Sequence, residues 1–240
     1  MEANLLQQYS RNLHGIDYVV GDVHGNFSKL SRALDAIKFD LTVDRLFSVG
    51  DLVDRGPESD HALDWLKQSW FHAVRGNHEQ MAIEFARGQL PINHYTSNGG
   101  AWNVANPQHV RAELADAFDA LPIAIEVETG NGLVGIVHAE CPLHRWQDMH
   151  DALTGPNGEA FRDAMLWSRD RVTHENRDTV EGVRAIVVGH TPLVRYSSLG
   201  NTIYIDTGGW IPRENRQFTI LDLATLMPAF QPTVALWDEA

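Results

Sequence analysis

The sequence lacks the features that mark several classes of protein. Its single cysteine, Cys141, excludes a disulfide within the chain and a zinc site built from several thiolates. No stretch approaches the roughly 20 apolar residues that cross a bilayer, and no internal repeat or low-complexity tract is evident. Residues 1–15 lack the basic start and apolar run of a secretory signal. These absences predict a cytoplasmic protein without a membrane partner.

Basic residues are also scarce. The chain has 19 Lys and Arg against 32 Asp and Glu, so its formal net charge is -13. Proteins that bind a polyanion normally present clustered cationic side chains that release counterions, so we expect no nucleic-acid partner. The 240 residues, 43% of them hydrophobic, suffice for one substantial core. We therefore expect a single domain over residues 1–240 that is monomeric.

The first third of the chain repeats one pattern of strand, loop and helix. Apolar runs at 16–20, 44–49 and 71–74 are each followed by a segment with helical spacing of apolar residues, at 30–37, 61–70 and 80–87. Three such units in succession predict an α/β protein with a largely parallel sheet. The loops at the carboxyl ends of these strands should then lie together at one edge of the sheet.

The remainder of the chain is richer in strands. After a helix at 108–121, β-type runs occur at 123–128, 133–137, 185–188, 202–205 and 218–221. We interpret 93–106, crowded with Asn, Gly and Trp, as a functional or capping loop. The stretch 155–180 has the least regular pattern, with one or two helical turns predicted inside 161–166.

Side chains that bind metals follow the first three strands. Asp22 and His24 stand two apart after the first, so in an extended segment they project to the same side. Asp51 follows the second strand, and its carboxylate is a candidate bridge between two cations, which need a shared anionic oxygen to offset their repulsion. Asn77 follows the third strand and offers an amide oxygen.

Two later histidines complete the pattern. His138 and His190 each follow a β-type run. A single histidine in such a place is more often a hydrogen-bonded core residue than a ligand, and a lone Asp-x-His is weak evidence. Five strand ends that all carry Asp, Asn or His make coincidence a poor explanation. This mixture of carboxylate, imidazole and amide suits two divalent ions, with Mn²⁺ favoured and Fe or Zn²⁺ as alternatives.

The motifs at these strand ends resemble a known family. Gly21-Asp22-Val23-His24-Gly25, Gly50-Asp51-Leu52-Val53-Asp54-Arg55-Gly56 and Arg75-Gly76-Asn77-His78-Glu79 are similar to the signature segments of the phosphoprotein phosphatases among the calcineurin-like metallophosphoesterases. The later segments Val137-His138-Ala139-Glu140 and Val188-Gly189-His190 extend the resemblance. His-Ala-Glu, together with the short chain, resembles the bacterial and phage branch of serine/threonine phosphatases.

The resemblance implies a fold and a set of roles. The fold is a central β-sandwich flanked by helices, with a dinuclear metal site at one edge. Asp22, His24 and Asp51 would hold one ion, and Asp51, Asn77, His138 and His190 would hold the other. His78, oriented by Asp54, would protonate the leaving alkoxide.

Arginines are expected to bind the phosphate. Arg55 and Arg75, which follow the second and third strands, can clamp phosphoryl oxygens with paired donors. The family also carries a phosphate-binding arginine after a Leu-Trp-Ser segment, which implies Arg169 here, with Arg171 close behind it.

These residues predict a metal-dependent phosphomonoesterase that acts on phosphoserine and phosphothreonine, or phosphotyrosine, in proteins and peptides. A water shared by two cations has a lowered pKa, so a metal-bound hydroxide can attack phosphorus directly. The alternative is a nucleotide hydrolase resembling the diadenosine tetraphosphatases, which usually lack a carboxylate at the position of Asp54. A metal-binding scaffold without catalysis is a third hypothesis, which the presence of every expected ligand disfavours.

Overall fold

The structure is a computed structural model, and it describes residues 5–213 and 215–229. Its helices are α1 Phe27–Ala36, α2 Ala62–Leu66, α3 Asn77–Ala86, α4 Ile92–Ser97, α5 Ala101–Val104, α6 Gln108–Asp119, α7 Met149–Thr154, α8 Gly158–Trp167 and α9 Asp170–Thr173, with 3-10 turns at Ser59–His61 and Trp146–Asp148. Its strands are β1 Leu6–Tyr9, β2 Asp17–Val20, β3 Arg45–Ser48, β4 Phe71–Ala73, β5 Ala124–Thr129, β6 Gly132–Val137, β7 Ala185–Val188, β8 Ser197–Leu199, β9 Thr202–Tyr204, β10 Ile220–Asp222 and β11 Met227–Pro228.

The strands form two sheets. One has the order β11-β10-β2-β3-β4, in which β2, β3 and β4 run parallel as the repeated strand-loop-helix units predict. The antiparallel pairing of β10 with β2 departs from that prediction. The other sheet has the order β1-β5-β6-β7-β9-β8, with parallel pairs β6/β7 and β7/β9. The two sheets form the β-sandwich that the family resemblance implies. The single parallel sheet predicted from the local pattern accounts only for the first half of the chain.

Neighbouring side chains along a strand point to opposite faces of its sheet, and both faces are covered by apolar clusters. Val19 of β2 and Val187 of β7 belong to the apolar cluster between the sheets, whereas their neighbours Val20 and Val188 belong to the clusters beneath the helices. Helices α1, α3 and α6 cover the five-stranded sheet, and α7 and α8 cover the six-stranded one. Because helices shield the outer faces, the central strands β2 and β7 are buried at every position rather than at alternate ones.

Three sequence predictions of local structure differ in whole or in part from the structure. The helix expected at 61–70 ends at Leu66, after a 3-10 turn. The segment 93–106 is not an open loop but contains most of α4 and all of α5. Helix α4 packs against α3, and Trp102 and Val104 of α5 join the same apolar cluster. The stretch 155–180 contains α8, which includes the helical turns predicted inside 161–166, and α9, so it is more regular than its charge and turn residues suggested. In each case tertiary packing outweighs the local pattern.

The described residues are consistent with several expectations from composition. Cys141 is buried, and burial raises the pKa of its thiol to about 11, as befits a core residue rather than a nucleophile. Among residues 5–213 and 215–229, no helix combines the length and the apolar character needed to span a bilayer. The ends of the predicted domain, 1–4 and 230–240, lie outside the described residues.

Candidate metal centre

The predicted metal ligands come together where the two sheets meet. Asp22 and His24 follow β2, Asp51 follows β3, and Asn77 begins α3 directly after β4. His138 and His190 follow β6 and β7 of the other sheet. The backbone N–H of His190 donates to both carboxylate oxygens of Asp22, at 3.1 and 3.2 Å, which ties the two sheets together at this point. All six side chains are buried.

The carboxylate of Asp51 lies between two groups of ligand atoms. Its Oδ2 is 3.6 Å from Nε2 of His24, and its Oδ1 is 3.4 Å from Nε2 of His138. The candidate ligand atoms of Asp51, His138 and His190 all lie within 4.8 Å of one another, as do those of Asp51, His24 and His78. One carboxylate with an oxygen turned toward each group is the arrangement that a bridge between two cations requires.

Hydrogen bonds to the far side of each imidazole set its tautomer. Nδ1 of His24 lies 2.8 Å from the carbonyl oxygen of Val53, and Nδ1 of His138 lies 2.7 Å from that of Val49. Each Nδ1 must carry a proton to donate to a carbonyl, so each Nε2 presents a lone pair to the centre. Such a bond from the second nitrogen is typical of metal-binding histidines.

Acceptor atoms converge in the second group. Nε2 of His138 is 2.8 Å from Oδ1 of Asn77 and 3.1 Å from Nδ1 of His190. Burial lowers the pKa of both His138 and His190, the latter to about 3, which favours the neutral form of each ring. Three lone-pair atoms facing each other would repel without a cation between them. This donor set therefore fits a divalent metal ion.

The electrostatics of the carboxylates lead to the same conclusion. Burial, reinforced by the nearby charges of Asp206 and Asp51, raises the pKa of Asp22 well above its ordinary value. Burial also raises the pKa of Asp206 to about 6. Several carboxylates buried together are costly as anions unless positive charge compensates them, and bound cations would provide that charge.

His78 lies beside the candidate ligands and is paired with Asp54. Nδ1 of His78 is 2.7 Å from Oδ2 of Asp54, and both residues are buried. Burial alone would lower the pKa of His78, but Asp51 and Asp54 stabilise the protonated ring and hold its pKa above the ordinary value. A histidine whose protonated form is favoured in this way can act as a general acid.

Two of the three predicted phosphate-binding arginines reach this centre. The guanidinium of Arg55 donates to Nε2 of His24 at 2.8 Å and lies 3.0 Å from Nε2 of His78. Its Cζ lies 4.5 Å from the centroid of the Trp210 ring. Arg169 is exposed and donates to the carbonyl oxygen of His190 at 3.4 Å. Arg171 is instead buried and bonded to the main chain of Asp178, so Arg169 is the better placed of the pair.

The structure does not bring Arg75 to the centre, which corrects its prediction as a phosphate clamp. Its guanidinium lies 2.9 Å from Oδ1 of Asp119 and donates to Gln80 at 3.1 Å. It lines a cavity of about 960 Å³ that contains none of the candidate ligands. Arg75 follows β4 as Arg55 follows β3, but the main-chain bond from Arg75 to Pro122 directs it toward the end of α6.

Backbone strain is concentrated at the centre. Eight non-glycine residues in the described part of the chain have a positive φ, and five of them are predicted site residues: His24, Asp51, Asp54, Arg55 and His190. Such conformations cost on the order of 1–3 kcal/mol each and persist mainly where function requires them.

Sequence reasoning did not assign a role to Glu79 or Asp206. The buried carboxylate of Glu79 accepts from the main-chain N–H of Asp51 at 2.9 Å, of Leu52 at 2.8 Å and of Gly76 at 2.8 Å, so it holds the loop that carries Asp51. The position of Glu79 in the Gly-Asn-His-Glu motif was the signal available in the sequence, but the motif alone does not indicate what Glu79 contacts. Asp206 follows β9 just as the other carboxylates follow their strands, which was the signal available for it.

Comparison with known proteins agrees with this geometry. Residues 18–208 match the family described as Calcineurin-like phosphoesterase. The chain is 39% identical over 199 residues to serine/threonine-protein phosphatase 1 of Salmonella typhimurium, covering 80% of this chain and 85% of that protein. It is 42% identical over 164 residues to a symmetrical bis(5'-nucleosyl)-tetraphosphatase of Coxiella burnetii, covering 64% of this chain and 53% of that protein.

Solved structures show the same fold at lower identity. A cold-active protein-tyrosine phosphatase of a psychrophilic Shewanella superposes with a TM-score of 0.58 at 16% identity, covering 92% of this chain and 78% of the other. The family match spans most of the chain, and the phosphatase relative is similar over nearly its whole length. This chain therefore belongs to the calcineurin-like phosphoesterases, in the branch of the bacterial serine/threonine protein phosphatases.

Proposed function

We propose that the chain is a metal-dependent phosphomonoesterase that hydrolyses phosphoserine and phosphothreonine, or phosphotyrosine, in proteins and peptides. The similarity to serine/threonine-protein phosphatase 1 over 80% of the chain supports this activity. The observation that carries it is the bond of 2.7 Å between His78 and Asp54 beside the converging ligands. A serine alkoxide is a poor leaving group and needs a proton, which a histidine paired with a carboxylate can donate.

Every predicted site residue except Arg75 has a place in this proposal. Asp22, His24 and Asp51 would hold one ion, and Asp51, Asn77, His138 and His190 would hold the other. Bound divalent ions, of which Mn²⁺ suits this donor set best, would supply an activated water and neutralise phosphoryl charge. Asp54 orients His78, whose Nε2 passes its proton to the leaving oxygen as the P–O bond breaks. Arg55 and Arg169 bind the phosphoryl oxygens.

The proposal extends to the setting of the enzyme. The buried lone cysteine is in keeping with a cytoplasmic protein, and the net charge of -13 disfavours a nucleic-acid partner. We propose that the protein acts as a monomer on phosphorylated proteins or peptides.

Hydrolysis of diadenosine tetraphosphate is the second candidate, because the chain is 42% identical to a tetraphosphatase over 64% of its length. The leaving group in that reaction is a nucleoside phosphate, which departs readily without a general acid. The buried His78–Asp54 pair would then contribute little. This favours an ester with a poor leaving group as the substrate.

A substrate comparison tests the proposal. We expect turnover of a phosphoserine peptide that requires added Mn²⁺, is abolished by EDTA, and exceeds in kcat/KM the turnover of diadenosine tetraphosphate. A strong preference for the dinucleotide would overturn the choice of substrate. Turnover that chelators leave untouched would overturn the metal-dependent mechanism itself.

A further inference from the structure

The segment from α4 to α5 contacts the far side of the Asp54 carboxylate. Oδ2 of Asp54 faces His78, whereas Oδ1 accepts a hydrogen bond of 2.7 Å from the indole Nε1 of Trp102. The hydroxyl of Tyr95 donates to the same Oδ1 at 3.4 Å. Both oxygens of Asp54 are therefore engaged, one by the general acid and one by this segment.

A second layer holds Tyr95 in place. The side-chain amide of Asn103 donates to the hydroxyl of Tyr95 at 3.2 Å, which leaves the hydroxyl proton free to point at Asp54. Asp54, Tyr95 and Asn103 are each completely buried. A buried carboxylate is stable as an anion only with enough donors, and here these are an indole, a phenol and an imidazole.

The same segment contacts the residue after Asp54. The backbone N–H of Arg55 donates to the carbonyl oxygen of Gly99 at 3.4 Å. Gly99 has a φ of +100°, and a Cβ there would lie 2.6 Å from the backbone nitrogen of Arg55. Asp54 and Arg55 both have a positive φ, at 69° and 67°, so this strained turn is braced by the segment packed against it.

We propose that Trp102, supported by Tyr95, is a positioning residue for His78: its indole N–H holds Oδ1 of Asp54 so that Oδ2 faces Nδ1 of His78. This inference rests on the proposed phosphatase function. With Asp54 fixed, the imidazole keeps one orientation, and its Nε2 points at the leaving oxygen. Without the indole bond the carboxylate can rotate about its Cβ–Cγ bond, and the proton donor loses its alignment.

A purely structural role for Trp102 predicts something different. Its ring packs against the apolar cluster beneath α3 and α6, so its loss could also loosen the protein. Loosening would lower the turnover of all substrates together. Loss of proton donation affects only substrates whose leaving group needs a proton.

Kinetics of Trp102→Phe separate these roles. We expect kcat for a phosphoserine peptide to fall about 10-fold, part of the total that general acid catalysis contributes, with KM unchanged. For p-nitrophenyl phosphate, whose leaving group departs unprotonated, we expect a change of less than about 2-fold. Trp65→Phe is the matched control. The centroid of the Trp65 ring lies 5.1 Å from that of Phe27, away from Asp54, so this substitution should change neither rate.

Two further measurements keep the proposal falsifiable. In an Asp54→Asn background, Trp102→Phe should have no additional effect, because the indole acts through that carboxylate. In the metal-free protein, the indole N–H resonance of Trp102 should shift when Asp54 is replaced by Asn, and that of Trp65 should not. If Trp102→Phe does not fold, Tyr95→Phe removes the second donor and retains the aromatic ring. It should lower kcat for the phosphoserine peptide more than kcat for p-nitrophenyl phosphate, by a smaller factor than Trp102→Phe.

Each outcome addresses one proposal. Equal losses on both substrates, or an effect of Trp102→Phe that persists in Asp54→Asn, would overturn the positioning role while the phosphatase function stands. A wild-type protein without metal-dependent hydrolysis of the phosphopeptide would overturn the proposed function. In that case the indole shift would still report whether Trp102 binds Asp54.

Discussion

At the scale of single residues, the partner of the second nitrogen decides what each histidine can do. Nδ1–H of His24 and of His138 donates to a backbone carbonyl oxygen, which leaves the lone pair of each Nε2 for a metal. Nδ1–H of His78 donates to the Asp54 carboxylate, and this negative charge favours the protonated form of the ring. The same side chain is thereby suited to ligation in two places and to proton donation in the third.

His78→Asn should separate ligation from proton donation. We expect kcat on phosphoserine peptides to fall about 10²–10⁴-fold, the usual contribution of a general acid. p-Nitrophenyl phosphate should suffer less, and metal content measured by mass spectrometry should stay near the wild-type value. A variant that loses its metal would show that His78 is a ligand, as its position within 4.8 Å of His24 and Asp51 also permits.

Arg55 and Arg75 should respond oppositely to the same substitution. Arg55→Lys removes paired donors from the centre, so we expect kcat/KM to fall roughly 10–100-fold with little change in stability. Arg75→Lys weakens the part-buried contacts to Asp119 and Gln80, so we expect the free energy of unfolding to fall by about 0.5–1.5 kcal/mol with kcat/KM nearly unchanged. Urea melts and steady-state kinetics distinguish the two, and a large kinetic loss in Arg75→Lys would contradict its placement.

At the scale of secondary-structure elements, short loops after parallel strands bring the ligands together. β2, β3 and β4 lie side by side, so the loops after them open at one edge of the sheet. Helix α3 begins at Asn77 itself, and its first turn also carries His78 and Glu79. Glu79 reaches back to the loop after β3, so that helix and loop support each other.

The edge strand β4 carries a histidine that should make stability depend on pH. His72 packs against Tyr9 of β1 and Phe47 of β3, and burial, with the nearby charge of Arg45 and against that of Asp17, lowers its pKa to about 4. The unfolded chain takes up this proton near pH 6.5, whereas the folded protein does so only near 4. The contribution of His72 to the free energy of unfolding is therefore fully present above pH 6.5 and is lost as the pH falls toward 4.

We expect this loss to amount to about 1–3 kcal/mol once solvent screening is allowed for. Urea melts of the metal-free protein at several pH values between 7.5 and 4 measure it. His72→Gln, which does not titrate, should show a shallower decline, while other titrating groups contribute equally to both proteins. Parallel profiles for the two proteins would contradict a buried neutral His72.

At the scale of the whole molecule, the candidate centre joins the two sheets. Asp22, Asp51 and Asn77 belong to strand ends of the five-stranded sheet, and His138 and His190 belong to the six-stranded one. A metal bound there cross-links both halves of the sandwich. Since it binds the folded state alone, it should stabilise the whole fold.

Added Mn²⁺ should therefore raise the melting temperature. At 100 to 1,000 times the dissociation constant, the stabilisation for one site is about 3–4 kcal/mol. Scanning calorimetry with and without Mn²⁺ measures the shift, and His190→Ala should remove much of it. A shift of equal size in His190→Ala would mean that the ion binds elsewhere.

Local sequence patterns were sufficient to identify most of the candidate centre. Strand ends that carry Asp22, Asp51, Asn77, His138 and His190 are visible because apolar runs stop abruptly at polar residues and glycine. The convergence of Asp22, Asp51 and Asn77 also follows, because their parallel strands open at a common edge. That of His138 and His190 with them depends on how the second sheet packs on the first. The edge strand β1, short and half-buried, has no such pattern and was missed.

The tertiary structure decided what depends on contacts between distant segments. Which arginine reaches the candidate centre could not be read from spacing, since Arg55 and Arg75 follow equivalent strand ends and only their partners differ. The bond from Trp102 to Asp54 joins residues 48 apart, and nothing local foretells it. Periodicity reports which side of an element is buried, whereas the direction of a long polar side chain depends on whichever distant partner satisfies it.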